Sequence, residues 1–219
     1  MSSSTQPKTQ LTLVSNQSDL TDKGSHTNTP RFRDDDRNGI TYLFLDTETT
    51  GLDPNVDQVW ELAVRAAWVT REFLIVDEPF VIQFPIDPEL MNPEAAIVNG
   101  FNGRYSVPDH TTAGGWAMFE GFIDSQFEQC DKLLLCGINP MFDHRFVTAA
   151  LGKDPAWHYK PIDMFALAAG AACIYPSVTT NELLDAYAIT LRGRHTALGD
   201  VDLTIELFSR VYGLEVIEP

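Results

Sequence analysis

Apolar and polar positions along the chain fall into blocks with two periods. Ile40-Thr41-Tyr42-Leu43-Phe44-Leu45-Asp46 is a short apolar, β-rich run that predicts a buried strand. Val59–Val69 and Phe73–Phe84 predict two more strands. A tight turn near Thr70-Arg71-Glu72 joins them, which makes a three-stranded antiparallel meander. The pattern then switches to helical spacing: Phe119, Phe122, Ile123 and Phe127 form one stripe of a helix over Trp116–Gln129. Lys132–Ile138 predicts a fourth, central strand. Asn139 and Pro140 follow as N-cap and first residue of a helix whose buried face is Phe142, Phe146, Ala149 and Ala150. Pro161–Cys173 predicts a helix or a strand-to-helix passage. Thr179 and Glu182 form a capping box for a helix through Ala188. The last helix runs from about Ala197 to Tyr212 on a stripe of Leu198, Val201, Ile205, Phe208 and Tyr212, and Gly213 ends it. A meander followed by alternating helices and a buried strand is an α/β arrangement, a mixed sheet flanked by helices.

Residues 1–38 lack such blocks. They are rich in Ser, Thr, Gln, Asn and Asp, which predicts a disordered tail ahead of a folded domain over 39–219. Five basic residues in the tail (Lys8, Lys23, Arg31, Arg33, Arg37) balance five Asp, so the net charge of −16 falls on the folded part. An acidic surface excludes unaided electrostatic binding of nucleic acid, which needs Lys and Arg against phosphate. It leaves open a nucleic-acid enzyme that recruits metal cations. Three Cys without paired-ligand spacing argue against a disulfide scaffold or a Cys-rich zinc site and favour a reducing, cytoplasmic setting. Neither an apolar run of about 18 residues nor an N-terminal apolar core of signal-peptide type is present, so no membrane partner is expected.

Candidate chemistry lies in the carboxylates. Asp46 and Glu48, two apart on a strand, point to one face, where they repel unless a cation or proton joins them. Asp143 falls in the first turn of its helix, where the dipole favours an ionised acid, and Asp200 in the first turn of the last helix. His195 lies five residues earlier, on the loop entering that helix, as a candidate general base. Hard carboxylates without Cys or a second nearby His favour Mg²⁺ or Mn²⁺ over Zn²⁺. Two such ions about 4 Å apart can clamp the attacking and leaving oxygens of a phosphodiester displacement.

These residues fall into motifs. Phe44-Leu45-Asp46-Thr47-Glu48-Thr49-Thr50-Gly51-Leu52 resembles the first motif of the DEDDh 3′–5′ exonucleases, a family that includes the proofreading (epsilon) subunit of bacterial DNA polymerase III. Asn139-Pro140-Met141-Phe142-Asp143 resembles the second motif, and His195-Thr196-Ala197-Leu198-Gly199-Asp200 the third, in the family's order. The resemblance covers roughly Ile40 to Tyr212 and implies an RNase H-like fold. It implies that Asp46, Glu48, Asp143 and Asp200 hold two divalent metals, and that His195 deprotonates the attacking water. Asn139 would serve the substrate side of the second motif. Thr49 and Leu52 would border the terminal nucleotide, with Leu52 wedged against its base. Asn92–Phe101 is similar to the segment that faces that nucleotide: Glu94 matches, while Asn99 stands where the family usually has His.

The implied activity is release of nucleoside 5′-monophosphates from the 3′ end of DNA. An RNA-directed exonuclease and an inactive polymerase accessory protein are the alternatives. Arg192 and Arg194, and more weakly Arg104, are candidates to meet substrate phosphate. A proofreading role would need a separate polymerase, since this length holds no polymerase domain. In the tail, Gln10-Leu11-Thr12-Leu13-Val14 resembles the sliding-clamp-binding peptide of bacterial polymerase partners, with Val14 where Phe is usual.

Overall fold

The structure, a computed structural model, describes residues 39–174 and 178–218. The tail and its Gln10–Val14 peptide lie outside the described residues. Among the described residues seven strands form one sheet: β1 (Ile40–Thr49), β2 (Val59–Thr70), β3 (Phe73–Val76), β4 (Phe80–Gln83), β5 (Lys132–Gly137), β6 (Ile162–Asp163) and β7 (Glu215–Ile217). Seven α-helices among the described residues accompany them: α1 (Pro93–Val98), α2 (Phe101–Arg104), α3 (Thr112–Phe127), α4 (Pro140–Leu151), α5 (Met164–Ala171), α6 (Thr180–Ala186) and α7 (Ala197–Tyr212).

The sheet runs β6-β5-β1-β2-β3-β7, with β4 also paired to β2. β1 pairs antiparallel with β2 and parallel with β5, so the meander and the crossover meet on one strand. This is the mixed, helix-flanked sheet expected from the pattern. Both faces of β1 are buried. Leu43 and Leu45 enter a core layer with Phe119 of α3 and Phe146 of α4. Phe44 points the other way, to a layer with Val201 and Phe208 of α7, where its ring meets Phe208 edge-on at 5.3 Å. Strand alternation thus assigns odd positions of β1 to the α3/α4 layer and even positions to the α5/α7 layer.

Several elements depart from the sequence pattern. The single strand expected over Phe73–Phe84 is interrupted at residues 77–79. β3 and β4 both pair with β2, but the register shifts by one residue between them. Pro79 supplies no backbone N–H for a ladder there, and the segment bulges instead. β1 extends to Thr49, so Glu48 is still a strand residue, with a register irregularity at Glu48/Thr49. α3 opens earlier, capped by the Thr111 side chain at Gly114 N. On α4 the buried positions are Pro140, Asp143, Phe146 and Val147; Ala149 and Ala150 are exposed. Tyr212 is likewise exposed at the end of its stripe. Pro161–Cys173 resolves as the strand-to-helix passage β6–α5, and the Thr179/Glu182 capping box forms. The short helices α1 and α2 and the edge strand β7 were not foreseen.

Candidate active site

Parity along β1 places the acids. Asp46 and Glu48 continue the even face of Phe44 and point toward the N-terminus of α7, where Asp200 sits. One carboxylate oxygen from each of Asp46, Glu48 and Asp200 lies within 4.8 Å of the others. Thr47, on the odd face, points toward α4. Its backbone N–H and its hydroxyl both donate to Asp143 Oδ1, at 2.9 and 2.7 Å. The four acids therefore meet at the C-terminal end of the sheet, where the positive ends of α4 and α7 converge.

These groups, with Asn139, Phe142, Thr180, Arg194 and His195, line a cavity of about 210 Å³. The charge crowding shows in the acids' affinities for protons. Burial first, then the charges of Asp143, Asp200 and Glu48, hold Asp46 well above the ordinary carboxyl range. Glu48 is pushed up to about 8, by burial and then by Asp200. Asp143 rises to about 7 through burial, although its hydrogen bonds from Thr47 pull it down. A site whose acids resist ionisation for want of positive charge, and whose donors are carboxylate oxygens, fits a hard divalent cation.

The third motif is built by close backbone packing. Gly199 on the first turn of α7 lies against the turn at Gly193, and a β carbon there would overlap the Gly193 carbonyl. Glycine is what lets the 193–196 turn rest on the helix. His195, with φ 62°, takes a left-handed conformation on that turn and is exposed at the cavity mouth. Its N–H donates to Asp200 Oδ2 at 3.0 Å, and Arg194 pairs with Asp200 Oδ1. Arg194 therefore serves the acidic cluster, while Arg192 lines a separate cavity behind the turn.

Asn139 corrects its expected role. It has φ 55° and makes no side-chain cap bond, so it is not a capping N-cap. The left-handed turn ends β5 abruptly and leaves the amide exposed beside the cavity. A second cavity, of about 340 Å³, adjoins the first and shares Thr47, Glu48 and Phe142 with it. Thr49, Leu52, Glu94, Val98 and Asn99 line it. Leu52 is 82% exposed at its lip. Asn99 is buried: its Nδ2 donates to Thr49 O at 3.1 Å and its Oδ1 accepts from Phe101 N at 3.2 Å. It staples α1 to the end of β1. Thr49's hydroxyl donates to Gly51 O at 2.6 Å. The ten candidate metal, catalytic and nucleotide-facing residues thus line these two adjoining cavities, whereas Arg192 does not.

Three residues there were not singled out as site residues from the sequence: Thr47, Phe142 and Glu61. Thr47 and Phe142 lay inside the motifs, and their contacts follow from parity and helical position. Glu61 carries no sequence signal, and Arg104, read from the sequence as a candidate phosphate contact, gives no sign there of its actual partners, because these are distant in the chain. Arg104 is not free to meet phosphate: it pairs with Glu61 and donates to the carbonyls of Asn99 and His195.

The family model described as Exonuclease (RNase_T) matches residues 43–208. A ribonuclease T from Actinobacillus pleuropneumoniae is 29% identical over 185 residues, covering 78% of this chain and 82% of that protein. An oligoribonuclease from Burkholderia lata is 25% identical over 193 residues, covering 85% and 88%. Among solved structures, a zinc-bound complex of Escherichia coli exonuclease I with single-stranded DNA superposes with a TM-score of 0.59 at 26% identity. The match covers 79% of this chain but only 40% of the exonuclease I chain. Among the described residues no helix is long and apolar enough to cross a membrane.

Proposed function

The chain belongs to the exonuclease family and is a 3′–5′ exonuclease, and we propose that it hydrolyses single-stranded 3′ ends one nucleotide at a time, releasing nucleoside 5′-monophosphates. The observation that carries this reading is the convergence of Asp46, Glu48, Asp143, Asp200 and His195 on one cavity. A binding module has no need of all five.

In this reading Asp46, Glu48, Asp143 and Asp200 hold two divalent cations, Mg²⁺ or Mn²⁺, directly or through water. When bound, such ions neutralise charge on the phosphodiester and ease ionisation of a nearby water. His195 accepts a proton from the attacking water, a contribution of about 10²–10⁴-fold. Its exposed place at the cavity mouth lets it then pass the proton to solvent. Asp200 orients it by accepting from its backbone N–H. The terminal nucleotide occupies the second cavity, its base between the Leu52 wedge and the Val98 and Phe142 wall. Thr49 and Glu94 line its sugar side, and Asn139 stands at the phosphate side. Asn99 acts through the loop it staples.

DNA is the substrate first implied by the motifs, and exonuclease I is a DNA-bound neighbour. The names ribonuclease T and oligoribonuclease favour RNA as the second reading. Timed digestion of 5′-labelled single-stranded DNA, duplex DNA and RNA with Mg²⁺ or Mn²⁺ decides both points. A one-nucleotide ladder shrinking from the 3′ end is expected. Internal cuts, or full activity in EDTA, would contradict the reading. Proofreading beside a separate polymerase, through a sliding clamp bound at Gln10–Val14, is a further proposal resting on the tail sequence. A Thr9–Ser15 peptide titrated against a bacterial clamp tests it, and no binding at high micromolar peptide would retire it.

A further inference from the structure

We propose that Arg104 is a positioning residue that fixes the His195 turn in its working conformation, acting with buried Glu61 as a strap across the cleft. The inference rests on the general-base role proposed for His195 and adds the groups that hold it. Arg104 ends α2, on the nucleotide side of the cleft. Its Nη1 donates to Asn99 O at 2.7 Å and to His195 O at 2.8 Å. Its other terminal nitrogen pairs with Glu61 Oε2. That same oxygen accepts from the backbone N–H of Ala197, at 3.0 Å, the first residue of α7. Gln83 Nε2 donates to Glu61 Oε1 at 3.2 Å, and the guanidinium lies over the Trp60 ring at 5.1 Å. One Glu–Arg pair thus grips both flanks of the His195 turn, its carbonyl through Arg104 and the start of α7 through Glu61.

His195 needs such a grip. A non-glycine residue at φ 62° sits in a sparsely populated region and persists there only where its surroundings hold it. A planar fork reaches three acceptors at fixed angles, which an ammonium on a flexible stem does not. The two grips are not equally redundant. Without Arg104, Asn99 keeps its bonds to Thr49 and Phe101, whereas the His195 carbonyl loses its cross-cleft donor. Loss of the strap therefore acts on turnover more than on substrate binding.

The test uses full-length Arg104→Lys, which keeps the charge opposite Glu61, with Arg104→Met as the stronger variant. For Arg104→Lys on single-stranded DNA with Mg²⁺, a fall in kcat of about 10-fold or more is expected, because a misplacement near 1 Å can cost about 100-fold. KM should stay within about 3-fold, and amide hydrogen exchange over residues 192–198 should accelerate. In a His195→Gln background the same substitution should change kcat by less than about 2-fold, since the two act through one group. A rise in KM at unchanged kcat would make Arg104 a phosphate contact and overturn the proposal. A full additional loss in the His195→Gln background, or unchanged exchange over 192–198 in both variants, would overturn it too. If the wild-type protein degrades no nucleic acid, the proposed function fails while the exchange comparison still decides whether the strap exists.

Discussion

Glu48 offers a direct test of the acidic cluster through stability rather than catalysis. Its carboxyl is raised from 4.5 to about 8 in the folded protein. In the unfolded chain it ionises near its ordinary value. Between those two values the unfolded state binds fewer protons than the folded one, so stability falls as pH rises and levels off above about 8. At about 1.4 kcal/mol per unit, the loss between pH 5.5 and 8 from this group alone is about 3 kcal/mol. Asp46 and Asp143 are raised as well and act in the same direction. For a chain of this size, about 2–4 °C per kcal/mol makes the expected drop in Tm on the order of 10 °C.

The assay is thermal unfolding in EDTA across pH 5.5–8.5, for wild type and Glu48→Gln, repeated with Mg²⁺ or Mn²⁺. The variant cannot ionise at this position, so in EDTA it should lose less stability with rising pH and exceed wild type at pH 8.5. Divalent metal should raise the wild-type Tm more at pH 8.5 than at 5.5, because only ionised carboxylates repay the ion. Parallel pH curves for wild type and Glu48→Gln would refute the charge-crowding account. Equal metal stabilisation at both pH values would refute the assignment of the site to a cation.

Asp46→Asn should abolish exonuclease activity in gel assays while circular dichroism stays native; retained turnover would remove Asp46 from the metal set. His195→Gln should lower kcat by about 10²–10⁴-fold with metal affinity by calorimetry near wild type; an unchanged kcat would remove His195 from the base role. Thr47→Val removes the 2.7 Å hydroxyl bond to Asp143, costing about 0.5–1.5 kcal/mol while Asp143 is protonated and about 1.5–3 kcal/mol once it is ionised. Because that bond lowers the Asp143 pKa, its loss should push the value above about 7 and shift metal binding to higher pH. A Thr47→Val protein with wild-type stability and pH profile would show the bond to be immaterial.

How much of this was legible in the sequence depends on the range of each interaction. Local signals carried the elements whose cause is local. The apolar run of β1, the Thr179/Glu182 capping box and the Gly213 stop each depend on residues within a few positions. Parity placed Asp46 and Glu48 on one face of β1 before any fold was known, because strand side chains alternate. The order of the three motifs carried the family and with it the sheet. Tertiary structure alone decided what depends on chain segments meeting. Asn139 reads as a helix cap from composition, yet the close end of β5 turns it left-handed and frees its amide. Asn99 reads as a nucleotide contact, yet burial spends its amide on Thr49 and Phe101. Arg104 reads as a spare cation, yet it bonds His195, 91 residues away, and Glu61, 43 residues away. No pattern within a helix or strand encodes such pairings. They arise only when the sheet brings β2, α2 and the α7 turn to one edge of the cleft, where buried charges and carbonyls must find partners.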